Sequence, residues 1–264
     1  MLLISKIPKR FSIDIDVITN TPMSNLPDYF EKIIALGRFH RWEGDNDRKQ
    51  VPDAPIAHYK FYYQGKVGSR PYEEPVLLDI LFSENPYPNL ISYPIKHEWL
   101  HTADAFTYVS IPSIESIAGD KLTAFAPNTT GILHEKNRPG EIIKQLFDVA
   151  YLFDEAKNVE ILKQSYMQVV QNEIKYRGLA ITWRECLEDS FTTAWLITRR
   201  DMQEPHFQAL QRGIQNVTNM VLATFRIDEA IICAAKLAYL TKIMSLPRLL
   251  TSWYLIHYIQ KSTN

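Results

Sequence analysis

Polar and apolar residues alternate along Phe11–Ile18 (FSIDIDVI): Phe11, Ile13, Ile15 and Val17 share one side, and Ser12, Asp14 and Asp16 the other. A period of two marks a strand with one face toward a core. Leu26–Leu36 changes to helical spacing, with Leu26, Tyr29, Phe30, Ile33 and Ile34 on one stripe and Gly37 as the stop. Gly44–Pro55 is charged and reads as a loop. Ala57–Val67 is expected to be a hairpin turning near Gln64-Gly65, Val76–Phe82 (VLLDILF) a buried strand broken by one charge, Asp79, and Phe106–Ile111 another short strand.

Beyond Pro112 the pattern is helical only. Ser113 is placed to cap a helix running to about Phe125. Pro127–Pro139 reads as a polar loop, and Glu141–Asp154 as an amphipathic helix with Ile142, Ile143, Leu146, Phe147, Ala150, Leu152 and Phe153 in its stripe. Three to five helices follow from Val159, with breaks expected at Arg177-Gly178, Glu204-Pro205, Gly213 and Leu246-Pro247. The fold class expected is α+β: a mixed sheet with flanking helices (residues 1–112), then an all-helical region (113–264). No internal repeat appears.

Composition narrows the classes. A net charge of −1 excludes a basic field over the whole protein, so contact with nucleic acid would need a local patch. Lys6, Lys9, Arg10, Lys60, Lys66 and Arg70 are the candidates for one. No segment has the ~20 uninterrupted apolar residues of a membrane span, and Met1–Ile4 is too short for the apolar stretch of a signal peptide. Only two cysteines, Cys186 and Cys233, occur in 264 residues, both in apolar surroundings, which fits a reducing cytoplasm. Nine glycines leave no glycine-rich phosphate loop.

The candidate chemistry lies in the acids. Asp14 and Asp16, at i and i+2 on a strand, project side by side. Their repulsion calls for a cation, and magnesium suits carboxylates combined with phosphate oxygens. Asp79, the lone charge of an apolar strand, is the candidate third acid. An Asp-x-Asp pair by itself is equally at home on a solvent-facing strand edge. His97 and His101, at i,i+4 beside Trp99, have no third ligand and read as surface or packing residues.

Arg10-Phe11-Ser12-Ile13-Asp14-Ile15-Asp16 resembles the RFSxDID motif of the AbiEii/AbiGii toxin family of nucleotidyltransferases, known from bacterial abortive-infection and toxin–antitoxin systems. Gly119–Ile132 (GDKLTAFAPNTTGI) and Glu141–Asp154 (EIIKQLFDVAYLFD) resemble that family's later blocks, a Lys-Leu-x-Ala helix and a Lys-Asp-x-x-Asp helix. The resemblance covers residues 9–156 and puts the later motifs at 113–156. It implies a nucleotidyltransferase fold with Asp14, Asp16 and Asp79 as ligands of Mg2+ or Mn2+. Lys121 and Lys144 would face the triphosphate. Asp148 would orient Lys144 or position the acceptor hydroxyl. Arg10 and Ser12 would either contact phosphate or close the strand's start. The implied substrate is a nucleoside triphosphate, the acceptor tRNA, another RNA or a protein, and the partner a cognate antitoxin.

Two features depart from the family pattern. The Gly-Gly-Ser/Thr element that precedes the motif strand, and holds phosphate at a helix N-terminus, is missing from the nine residues before Arg10. Either the start recorded here lies downstream of the true one or the chain is a remnant. Gln145 stands where the Lys-Asp-x-x-Asp block has its first acid. Two readings are therefore expected: metal-dependent transfer of a nucleoside monophosphate, or a non-catalytic family member that acts by binding a partner.

Overall fold

The computed structural model describes residues 3–4, 7–12, 14–45, 54–67, 70–100, 102 and 107–246. The chain divides into two compact units, Ser12–Asn85, and Met1–Phe11 with Pro86–Asn264. The architecture is mixed α/β, with the helices gathered in the C-terminal part. The pattern changes at Pro112, whereas the units divide at Asn85, and the second unit includes a two-stranded sheet.

The first unit holds β1 (Asp14–Thr19), α1 (Leu26–Ala35), β2 (Arg41–Gly44), β3 (Ile56–Val67) and β4 (Arg70–Phe82). The sheet order is β1-β4-β3-β2, with β1 parallel to β4 and the other pairs antiparallel. α1 follows the expected stripe, and Gly37 beyond its end takes φ +74°, which glycine adopts without strain. Leu26 and Phe30 are buried with Phe61 and Ile80, and Trp42, Tyr59, Leu78 and Phe82 pack around them. Alternation from Phe61 and Ile80 puts all these strand residues on one face of the sheet, beneath α1.

Two expectations for this unit need correction. β3 is one uninterrupted strand, and no turn occurs at Gln64-Gly65. Gly65 is paired with Tyr72, whose ring lies where a Cβ on residue 65 would be, 2.5 Å from its nearest atom. Glycine at 65 therefore makes room for a cross-strand ring rather than a bend. Second, Ile15 and Val17 are exposed, at 54% and 38%, although they lie on the apolar side of the alternation. β1 is at the edge of the sheet, and the buried cluster beneath α1 draws on β2, β3 and β4. Ile13 and the loop at 46–53 lie outside the described residues.

The second unit pairs β5 (Leu90–Pro94) with β6 (Tyr108–Pro112) and adds α2 (Ile114–Ala124), α3 (Pro139–Glu155), α4 (Val159–Tyr176), α5 (Trp183–Arg199), α6 (Pro205–Val217) and α7 (Ile227–Ser245). The boundaries have local causes. The Ser113 hydroxyl accepts from the Ser116 N–H, Asn158 caps α4, and Thr182 with Glu185 forms a capping box at α5. Pro139 and Pro205 open α3 and α6, where a missing N–H costs nothing. Gly178 ends α4 at φ +61°. Gly213, expected to be a break, lies inside α6: a Cβ there would come within 2.4 Å of the Pro139 carbonyl oxygen, so it permits close packing of α6 on α3. One apolar core, including Phe147, Leu162, Tyr166, Ile197, Leu210 and Leu237, runs through all six helices. Among the described residues no helix is long and apolar enough to cross a membrane.

Candidate functional site

Asp14 and Asp16 project from the face of the sheet opposite α1. Asp16 is the register partner of Asp79 across the parallel β1–β4 pair, and Asp14 that of Leu77. Register partners share a face, with strands ~4.8 Å apart. The three acids therefore come from sequence positions up to sixty-five apart onto one patch of one face. Asp79 is also the register partner of His58 on β3, whose Nδ1 lies 2.9 Å from Asp79 Oδ1. Both side chains are largely covered, at 13% and 19% exposure. Sequence reasoning did not single out His58. The alternation His58-Tyr59-Lys60-Phe61 carries the signal, but a hairpin turning at Gln64-Gly65 gives this segment no place beside β4.

Charged residues continue across this face. Lys60 Nζ bonds Asp45 Oδ2 at 2.9 Å. Arg41 donates to both Glu73 oxygens and to Glu43, and its guanidinium stacks 3.4 Å over the Tyr62 ring. The Arg41 guanidinium and His40 hold Glu73 down to about 2, well below the usual carboxylate range. Lys60, expected in a basic path for a phosphate backbone, is thus committed to an acid.

The residue types fit a hard divalent ion. The donors are carboxylate oxygens from two adjacent strands, and such a set suits a cation that keeps water and phosphate oxygens among its ligands. Among the described residues, no three His, Cys, Asp or Glu side chains are already closed on a common point. Asp14, Asp16 and Asp79 share a face without forming such a group.

The remaining candidates lie in the second unit. Arg10 pairs antiparallel with Val221, flanked by Phe11 N–H to Met220 O at 3.1 Å and Leu222 N–H to Lys9 O at 2.9 Å. This pairing holds the guanidinium against Asp148: Nε and Nη2 each donate to one carboxylate oxygen at 2.6 Å, and Nη1 donates to Phe11 O. Asp148 is fully buried. A buried carboxylate is best satisfied by a planar, two-pronged donor, so Asp148 turns to Arg10 rather than to Lys144 one helical turn away. In this structure Arg10 and Asp148 clasp the chain start to α3, and both oxygens of Asp148 are used in doing so.

Lys144, on α3, and Lys121, in the last turn of α2, are half-buried. Ser12 is exposed. Gln145 is buried, with an Oε1 that meets no donor. His97 stands edge-on to Trp99 at 5.8 Å, and His101 lies outside the described residues.

Comparison with known proteins agrees with the motifs. None of the curated proteins matches. Among solved structures, the crystal structure of JHP933 from Helicobacter pylori is similar, with a TM-score of 0.44 and 13% identity over 95% of this chain and 82% of that one. A likeness that distant carries no weight for chemistry. The family described as "Nucleotidyl transferase AbiEii toxin, Type IV TA system" matches residues 1–222. Those residues span the motif strand, the whole sheet and the helices bearing Lys121, Lys144 and Asp148, and the chain belongs to the AbiEii nucleotidyltransferase toxin family of type IV toxin–antitoxin systems.

Proposed function

We propose that this protein transfers a nucleoside monophosphate from a nucleoside triphosphate to an acceptor hydroxyl, and that it does so with a divalent cation. The observation that supports this is the register of β1 and β4, which sets Asp16 beside Asp79 with Asp14 on the same face. Asp14, Asp16 and Asp79 would hold Mg2+ or Mn2+, and the ion would supply charge neutralisation for the phosphates. In the reaction the acceptor oxygen forms a bond to the α-phosphorus, the bond from that phosphorus to the bridging oxygen breaks, and pyrophosphate leaves. The acceptor's proton passes to solvent.

Lys121 and Lys144 are read from the family resemblance as the cations that meet the triphosphate. For Arg10 and Asp148 we favour a structural role, since Asp148 spends both carboxylate oxygens on Arg10. A tRNA, another RNA or a protein is the acceptor class, a cognate antitoxin is the expected partner of a toxin from such a system, and the cytoplasm is the expected compartment.

The test is incubation with labelled nucleoside triphosphates, magnesium and total tRNA, beside an Asp14→Ala/Asp16→Ala control. Label transfer should fall by on the order of 10³-fold in the control, the loss of several kcal/mol of charge stabilisation. Transfer indifferent to the double substitution sinks the assignment. The competing reading, a non-catalytic member acting through a partner, predicts no transfer from the parent protein and antitoxin binding that the same double substitution leaves intact. The exposed Ile15 and Val17 beside the acids are the observation in its favour.

A further inference from the structure

We propose that His58 is a positioning residue that holds Asp79 ready to ligate; this rests on the metal-site reading above. Asp16, Asp79 and His58 occupy matched positions on three adjacent strands, β1, β4 and β3, and so form a row across one face. Within that row two carboxylates adjoin, and the third member is a ring nitrogen 2.9 Å from one of them. A carboxylate only accepts hydrogen bonds, so Nδ1 carries the proton and donates to Asp79 Oδ1.

The neighbouring charges on β3 and β2 pair with each other. The next acid along the row, Asp45, donates its backbone N–H to His58 O at 2.8 Å, while its carboxylate is taken by Lys60. Cover on both partners keeps the bond from being exchanged for water: Asp79 is 19% exposed and His58 13%. A bond from a fixed ring to one oxygen of a ligating carboxylate limits the carboxylate's rotation, which is the ordinary work of a group behind a metal ligand. Arg41, the register partner of Tyr62 four residues further along β3, is bonded to Glu43 and Glu73.

The distinguishing feature is which nitrogen bonds. An asparagine at 58 carries its amide nitrogen where Nδ1 stands; a glutamine carries it further out, where Nε2 stands. Mn2+ alone, titrated into the purified full chain and followed by electron paramagnetic resonance, gives a readout independent of turnover. His58→Ala and His58→Gln should weaken Mn2+ binding by ~10–100-fold, and His58→Asn should restore it to within a few-fold of the parent. Thermal melts of the Asn and Gln variants check that the comparison is between folded proteins. Equal Mn2+ affinity in the parent and all three variants, with affinity lost in Asp79→Asn, overturns the role of His58 and leaves the metal site standing. A parent protein that binds no Mn2+ overturns the site and this inference together.

Discussion

The two units solve the problem of a core in different ways. The helical unit buries residues from all six of its helices in one continuous core. Among its described residues the sheet unit clusters four buried residues, Leu26, Phe30, Phe61 and Ile80, against one face of its sheet. Its other side carries Asp14, Asp16, His58, Lys60, Asp79 and the Arg41 network. A sheet with one apolar face is a stable solution, and it leaves the opposite face for charges that a helical core could not accept unpaired. The exception in the helical unit confirms this: its fully buried acid, Asp148, exists there only with a two-pronged partner. Buried charge serves structure in one unit; charge carried on one sheet face is the candidate chemistry in the other.

Breaking the clasp is the severest way to test that contrast. Arg10→Ala leaves Asp148 buried and uncompensated and should cost ~3–5 kcal/mol in urea unfolding, whereas Arg10→Met combined with Asp148→Leu should come close to the parent. A loss under ~1 kcal/mol for Arg10→Ala would mean the pair is not structural and would return Arg10 to the list of phosphate contacts. Packing comes next. A methyl group at Gly119 would stand 2.6 Å from Leu162 O and 2.7 Å from Tyr166 N, where α2 meets α4. Gly119→Ala should cost ~1–3 kcal/mol in the same assay, as overpacking against backbone that cannot move aside.

The smallest effect is on the charged face. Because Glu73 ionises near 2 in the folded protein, below its ordinary 4.5, its interactions favour the fold above pH 4.5 and are lost as pH falls toward 2. Glu73→Gln should be slightly less stable than the parent at pH 6, and the gap should close between pH 4.5 and 2. Its exposure keeps the difference small. A gap that persists at pH 2 would place the loss in packing rather than in charge.

The elements whose pattern is local were legible in the sequence. α1, α2 and α3 appear within about two residues of their expected limits because their apolar stripes, the Ser113 cap of α2 and the Gly37 stop of α1 are all local. What was not legible depends on pairing. β2 and β5 are short, and their places are set by partners elsewhere in the chain. Gly65 carries the usual mark of a turn, yet it serves a neighbour's ring. The site divides along the same line. Asp14, Asp16 and Asp79 drew attention as charges out of place in apolar strands. His58 needed the β3–β4 register to be seen, and the destination of Asp148 needed the bridge that brings Arg10 to it.

The ring of Tyr72 lying on Gly65 works as a notch in the β3–β4 ribbon. Every other strand position near that end carries a side chain, so sliding one strand by a single residue would drive the phenol into a Cβ. The same slip of β4 would carry the carboxylate seven residues further along it through to the other face of the sheet, against Phe30, Tyr59 and Phe61. A glycine remote from the acids thus keeps one of them on the side where a cation can reach it.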